Sequence, residues 1–132
     1  MAGERNLRRL LAGMRPRLAQ GSWVFTSVED RTVPAGLRPF ATVDEEEGLT
    51  LVLRREEADA AGLPYEFVAA LITLEVHSDL AAVGLTAAVS TRLAETGISC
   101  NVIAGARHDH LLVPLERADE ALELLRGLAS SG

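Results

Sequence analysis

The chain has 132 residues, 48% of them hydrophobic and 24% charged; that is the size of one domain, or of two very small ones sharing a core, and the composition of a globular protein rather than a disordered tail. Only 4% are aromatic, so Leu, Val, Ile and Ala must fill the core, and a lone Cys100 excludes an internal disulfide and a Cys-based zinc cage. The net charge of -6 disfavours nucleic acid and anionic membranes as main partners. Every basic residue is Arg, which excludes the lysine-dependent Schiff base and Walker-type phosphate loop.

Leu7, Leu10, Leu11, Met14 and Leu18 recur at helical spacing, so an amphipathic helix is expected up to the vicinity of Pro16. This opening alternates charge with leucine and has no unbroken apolar run. The most apolar stretch, Phe67 to Leu74, is far shorter than the ~20 residues that span a bilayer, so a cytoplasmic protein is expected. Trp23 to Val28 reads as a strand, and Val33 to Pro39 as a rigid loop punctuated by Pro and Gly. Phe40–Val43 and Leu49–Leu53 read as a hairpin around the acidic turn Asp44 to Gly48. Adjacent strand side chains point to opposite faces, so those carboxylates suit a solvated tip better than a metal. Arg54 to Ala61 is a short helix closed by Gly62 and Pro64.

From Ala69 to Val76 the chain alternates, with Ala70, Ile72, Leu74 and Val76 on one face and Thr73 and Glu75 on the other. Ser78 or Asp79 is placed to cap a helix from about Leu80 to Thr96, stopped by Gly97. Ile98 to Ala104 and His110 to Leu115 read as paired strands across Gly105-Ala106-Arg107. Ala118, Ala121, Leu122, Leu125 and Leu128 form the inner stripe of a last helix. The order β-α-β-β-α from Phe67 onward is a ferredoxin-like α+β module without its last strand. That leaves an open sheet edge, and the strands of the N-terminal half are there to be shared with it.

Glu46 to Leu53, then Phe67 with Ile72 to Ala87, Gly97 to Gly105, His108 to His110 and Val113-Pro114, together resemble the small stand-alone tandem ACT-domain proteins, relatives of aspartate kinase regulatory tails and cellular arginine sensors, most specifically from Thr73 to Pro114. The resemblance implies ferredoxin-like βαββαβ ACT modules in tandem with strands shared between halves: an N-terminal ACT-like half at 1–63 and a C-terminal ACT domain at 64–132. It also implies a non-catalytic regulatory role, an amino acid or similar small metabolite as ligand, no cofactor, and a homodimer. The site implied by the family combines His77, Ser78, Asp79, Leu80, Val83 and Gly84 with Asn101, Val102, Ile103 and Ala104 of the second strand. The N-terminal half lacks a strand–Gly–helix opening of this type.

Physical chemistry gives those positions a use. Amides at a helix N-terminus suit a carboxylate, Asp79 suits an ammonium, Gly84 permits close approach, and carbonyls of 101–104 complete a pocket. The plain alternative is that Asp79 or Ser78 only caps the helix and Gly84 only allows packing. His77, His108 and His110 with Asp109 invite a metal, but no fixed ligand spacing accompanies them, and no metal is expected. Cys100, among apolar neighbours, reads as a small buried hydrophobe. The competing role is an interaction module that oligomerises through its sheets, with Leu71, Thr73 and Glu75 on the face that would be covered.

Overall fold

The computed structural model describes residue 3 and residues 5–131. They fall into two compact units, Met1–Ala19 with Ala70–Gly132, and Gln20–Ala69.

In the first unit, helix α1 (Leu7–Gly13) is capped by Asn6, whose side-chain oxygen accepts the Arg9 N–H at 3.1 Å. The helix is shorter than the leucine spacing suggests. Gly13 weakens it, and Pro16 holds the residue before it in extended backbone, so Arg15–Leu18 becomes strand β1. β1 pairs antiparallel with β5 (Val68–Glu75), Arg15 opposite Glu75 and Leu18 opposite Ile72. Arg17 donates to Glu75 at 2.9 Å across the pair. Pro16 is tolerated because among the described residues β1 has no second neighbour to receive an N–H.

Helix α3 (Leu85–Glu95) starts five residues later than the apolar run from Leu80 suggests, and Gly97, at φ +75°, ends it. Strands β6 (Asn101–Ala104) and β7 (Asp109–Pro114) form an antiparallel hairpin with Ala104 opposite Asp109. A 3-10 turn (Leu115–Arg117) leads into α4 (Ala118–Ser131). The strand order is β1-β5-β7-β6. Leu10 and Met14, Ala70, Ile72 and Leu74, Val89 and Leu93, Leu111 and Val113, and Ala121 and Leu125 form one core. Ala70, Ile72 and Leu74 meet the helices as their alternation requires. The opposite face of β5 is not open, however: Leu71 and Thr73 are also buried.

The second unit holds β2 (Trp23–Val28), β3 (Ala41–Glu45), β4 (Gly48–Arg54) and α2 (Arg55–Ala60), with Val68 and Ala69 at the start of β5 pairing Val24 and Trp23. The order is β3-β4-β2. Gly48 is required at the β3–β4 turn because a Cβ there would stand 2.9 Å from the Val28 carbonyl oxygen. Val24, Leu51, Leu53 and Ala58 make the core. Tyr65 ties α2 down, donating to Asp59 at 2.6 Å and accepting from Arg55 at 3.0 Å. Its phenolic oxygen holds the Arg55 guanidinium above its usual pKa.

Thr26 is 6% exposed, and its hydroxyl has no hydrogen-bond partner among the described residues. An orphaned buried hydroxyl costs free energy that an isosteric methyl does not. Thr26→Val is therefore expected to raise stability by about 1–2 kcal/mol in urea or thermal unfolding. A destabilised variant would mean that the hydroxyl is satisfied in solution.

Candidate functional site

The segment 77–84 between β5 and α3 is an ordered loop. Asp79 shapes it from within: its side chain accepts the Ala81 N–H at 2.7 Å and its carbonyl accepts the Ala82 N–H at 2.9 Å. Gly84 caps α3 with φ +110°, a conformation that L side chains rarely adopt, which is why the helix begins only at Leu85. The first bonded helical amide is that of Ala88, donating to the Gly84 carbonyl at 2.8 Å. The amides of Leu85, Thr86 and Ala87 are left without a partner among the described residues, at the positive end of an eleven-residue helix.

Facing that helix end is the tip of the β6–β7 hairpin. Gly105 donates to the His108 carbonyl at 2.9 Å and closes the loop tightly; a Cβ on Gly105 would stand 2.9 Å from that same oxygen. The turn presents Arg107, His108 and Asp109 to the loop. Together they enclose a notch of ≈ 140 Å³ whose lining includes Ser78, Asp79, Gly84, Thr86, Arg107 and Asp109. This is well below the ~300–1,000 Å³ of sites for drug-sized molecules, so the notch suits a ligand of few atoms.

Of the expected site residues, Ser78, Asp79, Leu80, Gly84 and Ala104 line the notch, while His77, Val83, Asn101, Val102 and Ile103 do not. Val83 is 84% exposed, Val102 packs on the core, and Asn101 reaches back to the Leu112 carbonyl. Because α3 starts at Leu85 and not near Leu80, the open amides of the helix end are those of Leu85–Ala87. At Gly84 the space of the missing Cβ is taken by the Leu7 side chain, 3.1 Å away, the packing use weighed above. Asp79 is already engaged, with Arg5 Nε at 3.1 Å from its second oxygen. The Ala81 amide and Arg5 hold its carboxyl below the usual carboxylate range.

Sequence reasoning took Arg107 only as part of a turn and Asp109 only as a companion of the histidines, and placed neither at the ligand site. Arg107 is exposed and makes no ion pair among the described residues. Asp109 is half-buried, and desolvation pushes its carboxyl up, an effect that His110 and His108 oppose. The polar run Arg107-His108-Asp109-His110 at a hairpin tip is the signal that marks them.

The histidines take other roles. His108 Nδ1 lies 3.3 Å from the Val76 carbonyl oxygen, and His110 Nδ1 lies 3.0 Å from Thr73 Oγ1. Among the described residues no three His, Cys, Asp or Glu side chains gather as a metal would need. Burial pushes the Cys100 thiol up, away from thiolate chemistry. No helix among the described residues is long and apolar enough to cross a membrane.

Burial, with help from His108 and Arg17 and against Asp109, holds the His110 imidazole below its usual pKa. The unfolded chain therefore takes up this proton first as pH falls. The stability His110 contributes is complete above ~6.5, its unfolded value, and is lost as pH drops through the folded value. The melting temperature is expected to fall between pH 7.5 and 5.5, and to fall less in His110→Gln, which cannot charge. Parallel melting curves for the two proteins would contradict this assignment.

A helix-covered antiparallel sheet ordered β1-β5-β7-β6, with a small notch at the first crossover, is an α+β unit of the ferredoxin-like kind. Two ACT-domain models match the chain, over residues 2–70 and 66–127, and the chain belongs to the ACT-domain family. ACT domains are typically regulatory ligand-binding modules. Among solved structures, a Vibrio cholerae protein of unknown function, described as a possible transport protein, is 50% identical over 93% of this chain and 95% of that one, with a TM-score of 0.83. The ligand-free regulatory subunit of aspartate kinase from Thermus thermophilus has the same fold at 11% identity, covering 89% of this chain and 97% of that one, with a TM-score of 0.66. An Agrobacterium tumefaciens protein is 17% identical over 88% of this chain and 89% of that one, with a TM-score of 0.65. No curated protein matches the chain.

Proposed function

We propose that this chain is a non-catalytic regulatory protein that binds an α-amino acid, or a similarly small zwitterion, in the notch at the start of α3. The observation that carries the reading is the meeting of the Arg107 guanidinium, without an ion pair among the described residues, with the open amides of α3 across one small cavity. A carboxylate there gains a charge-assisted hydrogen bond and the helix dipole together. Asp109, on the same lining, supplies the counter-charge for an ammonium. Asp79 supports the loop in place of meeting the ligand, since Arg5 and the Ala81 amide hold it.

The tandem reading keeps 1–63 as the N-terminal ACT-like half and 64–132 as the C-terminal domain, with β1 lent to the latter as its missing edge strand. The matched spans 2–70 and 66–127 support the division, and the pairing of β1 with β5 supports the loan of the strand. On this reading the protein is a cytoplasmic homodimer. A second reading, an interaction module without a ligand, draws support from Leu80 and Val83, apolar and 71% and 84% exposed.

Isothermal titration against each of the twenty amino acids tests the first reading. Heat of binding for at least one is expected. Silence from all twenty at millimolar concentration, with a dimer in sedimentation equilibrium, would favour the second.

A further inference from the structure

The notch's loop is held from outside itself. Among the described residues, 77–84 is shaped from within by the turn at Asp79 and the left-handed Gly84; Ala82 packs on the core, while Leu80 and Val83 are largely exposed. A loop with so few interior contacts belongs to the easily opened part of a fold. Three residues of the N-terminal segment supply what it lacks. The Gly3 backbone lies so close to the loop that a Cβ on it would stand 2.6 Å from the Asp79 nitrogen and 2.7 Å from the His77 carbonyl oxygen. Arg5 pairs with Asp79 at 3.1 Å, and the Asp79 side chain is only 12% exposed. Leu7, in the first turn of α1, fills the space beside Gly84. The two ends of the loop are thus seated on one short segment, at Gly3 and Arg5 on one side and at Leu7 on the other.

We infer that Gly3, Arg5 and Leu7 brace the notch, with Arg5 a positioning residue that acts through Asp79, and that ligand occupancy and bracing are thermodynamically linked. Asp79 is the pivot: one oxygen shapes the loop through Ala81 and the other fastens it to Arg5. Releasing Arg5 frees the carboxylate to swing and loosens the turn that presents Gly84 and the α3 amides. A ligand that binds the seated loop better than the released one must, by reciprocity, tighten the brace. The linkage rests on the notch being the ligand site; the bracing of the loop does not.

Hydrogen exchange of the intact protein separates the two. In Arg5→Ala, and in Gly3→Val, whose side chain would collide with the loop backbone, amides of 78–84 are expected to exchange roughly threefold to tenfold faster while α4 and the core of β5 keep their protection. Arg5→Lys, which keeps the cation, should exchange close to wild type and Arg5→Met, which keeps only the bulk, should resemble Arg5→Ala, whereas a merely space-filling role would leave Arg5→Met close to wild type. Loop exchange unchanged in both Arg5→Ala and Gly3→Val overturns the brace. For the linkage, each of the twenty amino acids is titrated into wild type and Arg5→Ala. Any that binds wild type is expected to bind the variant more weakly, about threefold to tenfold. Equal affinity overturns the linkage. Absence of binding to either protein removes the ligand reading and the linkage together, and leaves the exchange result to decide the brace.

Discussion

Arg107→Ala is expected to weaken amino-acid binding about tenfold to a hundredfold, the worth of one charge-assisted hydrogen bond of ~1.5–3 kcal/mol. The physical reason is local. The guanidinium stands at the mouth of a cavity whose other wall is a helix end with three open amides, so a carboxylate between them is held from both sides. Because Arg107 is exposed and fastened to no carboxylate among the described residues, its loss should leave the unliganded protein's stability within about 0.5 kcal/mol. That combination, affinity lost with folding intact, separates a ligand contact from a structural one. Asp109→Asn should behave in the same sense for the ammonium. Titration calorimetry of both variants checks this, and an unchanged affinity in Arg107→Ala would place the carboxylate elsewhere.

The largest effect on stability is expected for Ile72→Ala. Ile72 is fully buried in the middle of β5, opposite Leu18 of β1, and belongs to the cluster that joins the sheet to α1, α3 and α4. Truncation removes apolar contact and leaves a cavity that the surrounding Leu and Val side chains can only partly close. A loss of about 2–5 kcal/mol follows. At ~4–8 °C per kcal/mol for a small domain, the melting temperature should drop by roughly 10 °C or more. Urea unfolding measures it directly. A loss below ~1 kcal/mol would mean that the cluster collapses onto the site and that β5 is not its centre.

The sequence was legible where periodicity is local. The alternation Ala70-Ile72-Leu74, the stripe Ala118-Ala121-Leu125 and the hairpin around Gly48 each need only their own residues, and each forms. What could not be read depends on distant partners. Arg15–Leu18 carries no β-branched residue, and its strand exists because β5 offers backbone partners. Leucine spacing alone extends α1 through it. Similarly, the run Leu80-Ala81-Ala82-Val83 has good helix formers, yet Gly84 at φ +110° and the Asp79 turn keep it out of α3. Propensity yields there to one backbone position.

Half of the expected site residues line the candidate notch, for the same reason. Ser78, Asp79 and Gly84 sit on the crossover that a β-α unit always presents, so resemblance and helix-end chemistry both point at it. Arg107 and Asp109 reach the notch only because the register of β6 on β7, Ala104 opposite Asp109, aims the hairpin tip at α3. Nor does spacing reveal Arg5, which lies far in sequence from the Asp79 it holds.

An amide-resolved NMR titration of the full-length protein with the twenty amino acids, first pooled and then singly, tests the central claim most directly. The account predicts saturable shifts concentrated at Leu85, Thr86, Arg107 and Asp109. Shifts confined to residues 20–69, or none with any amino acid, would contradict it.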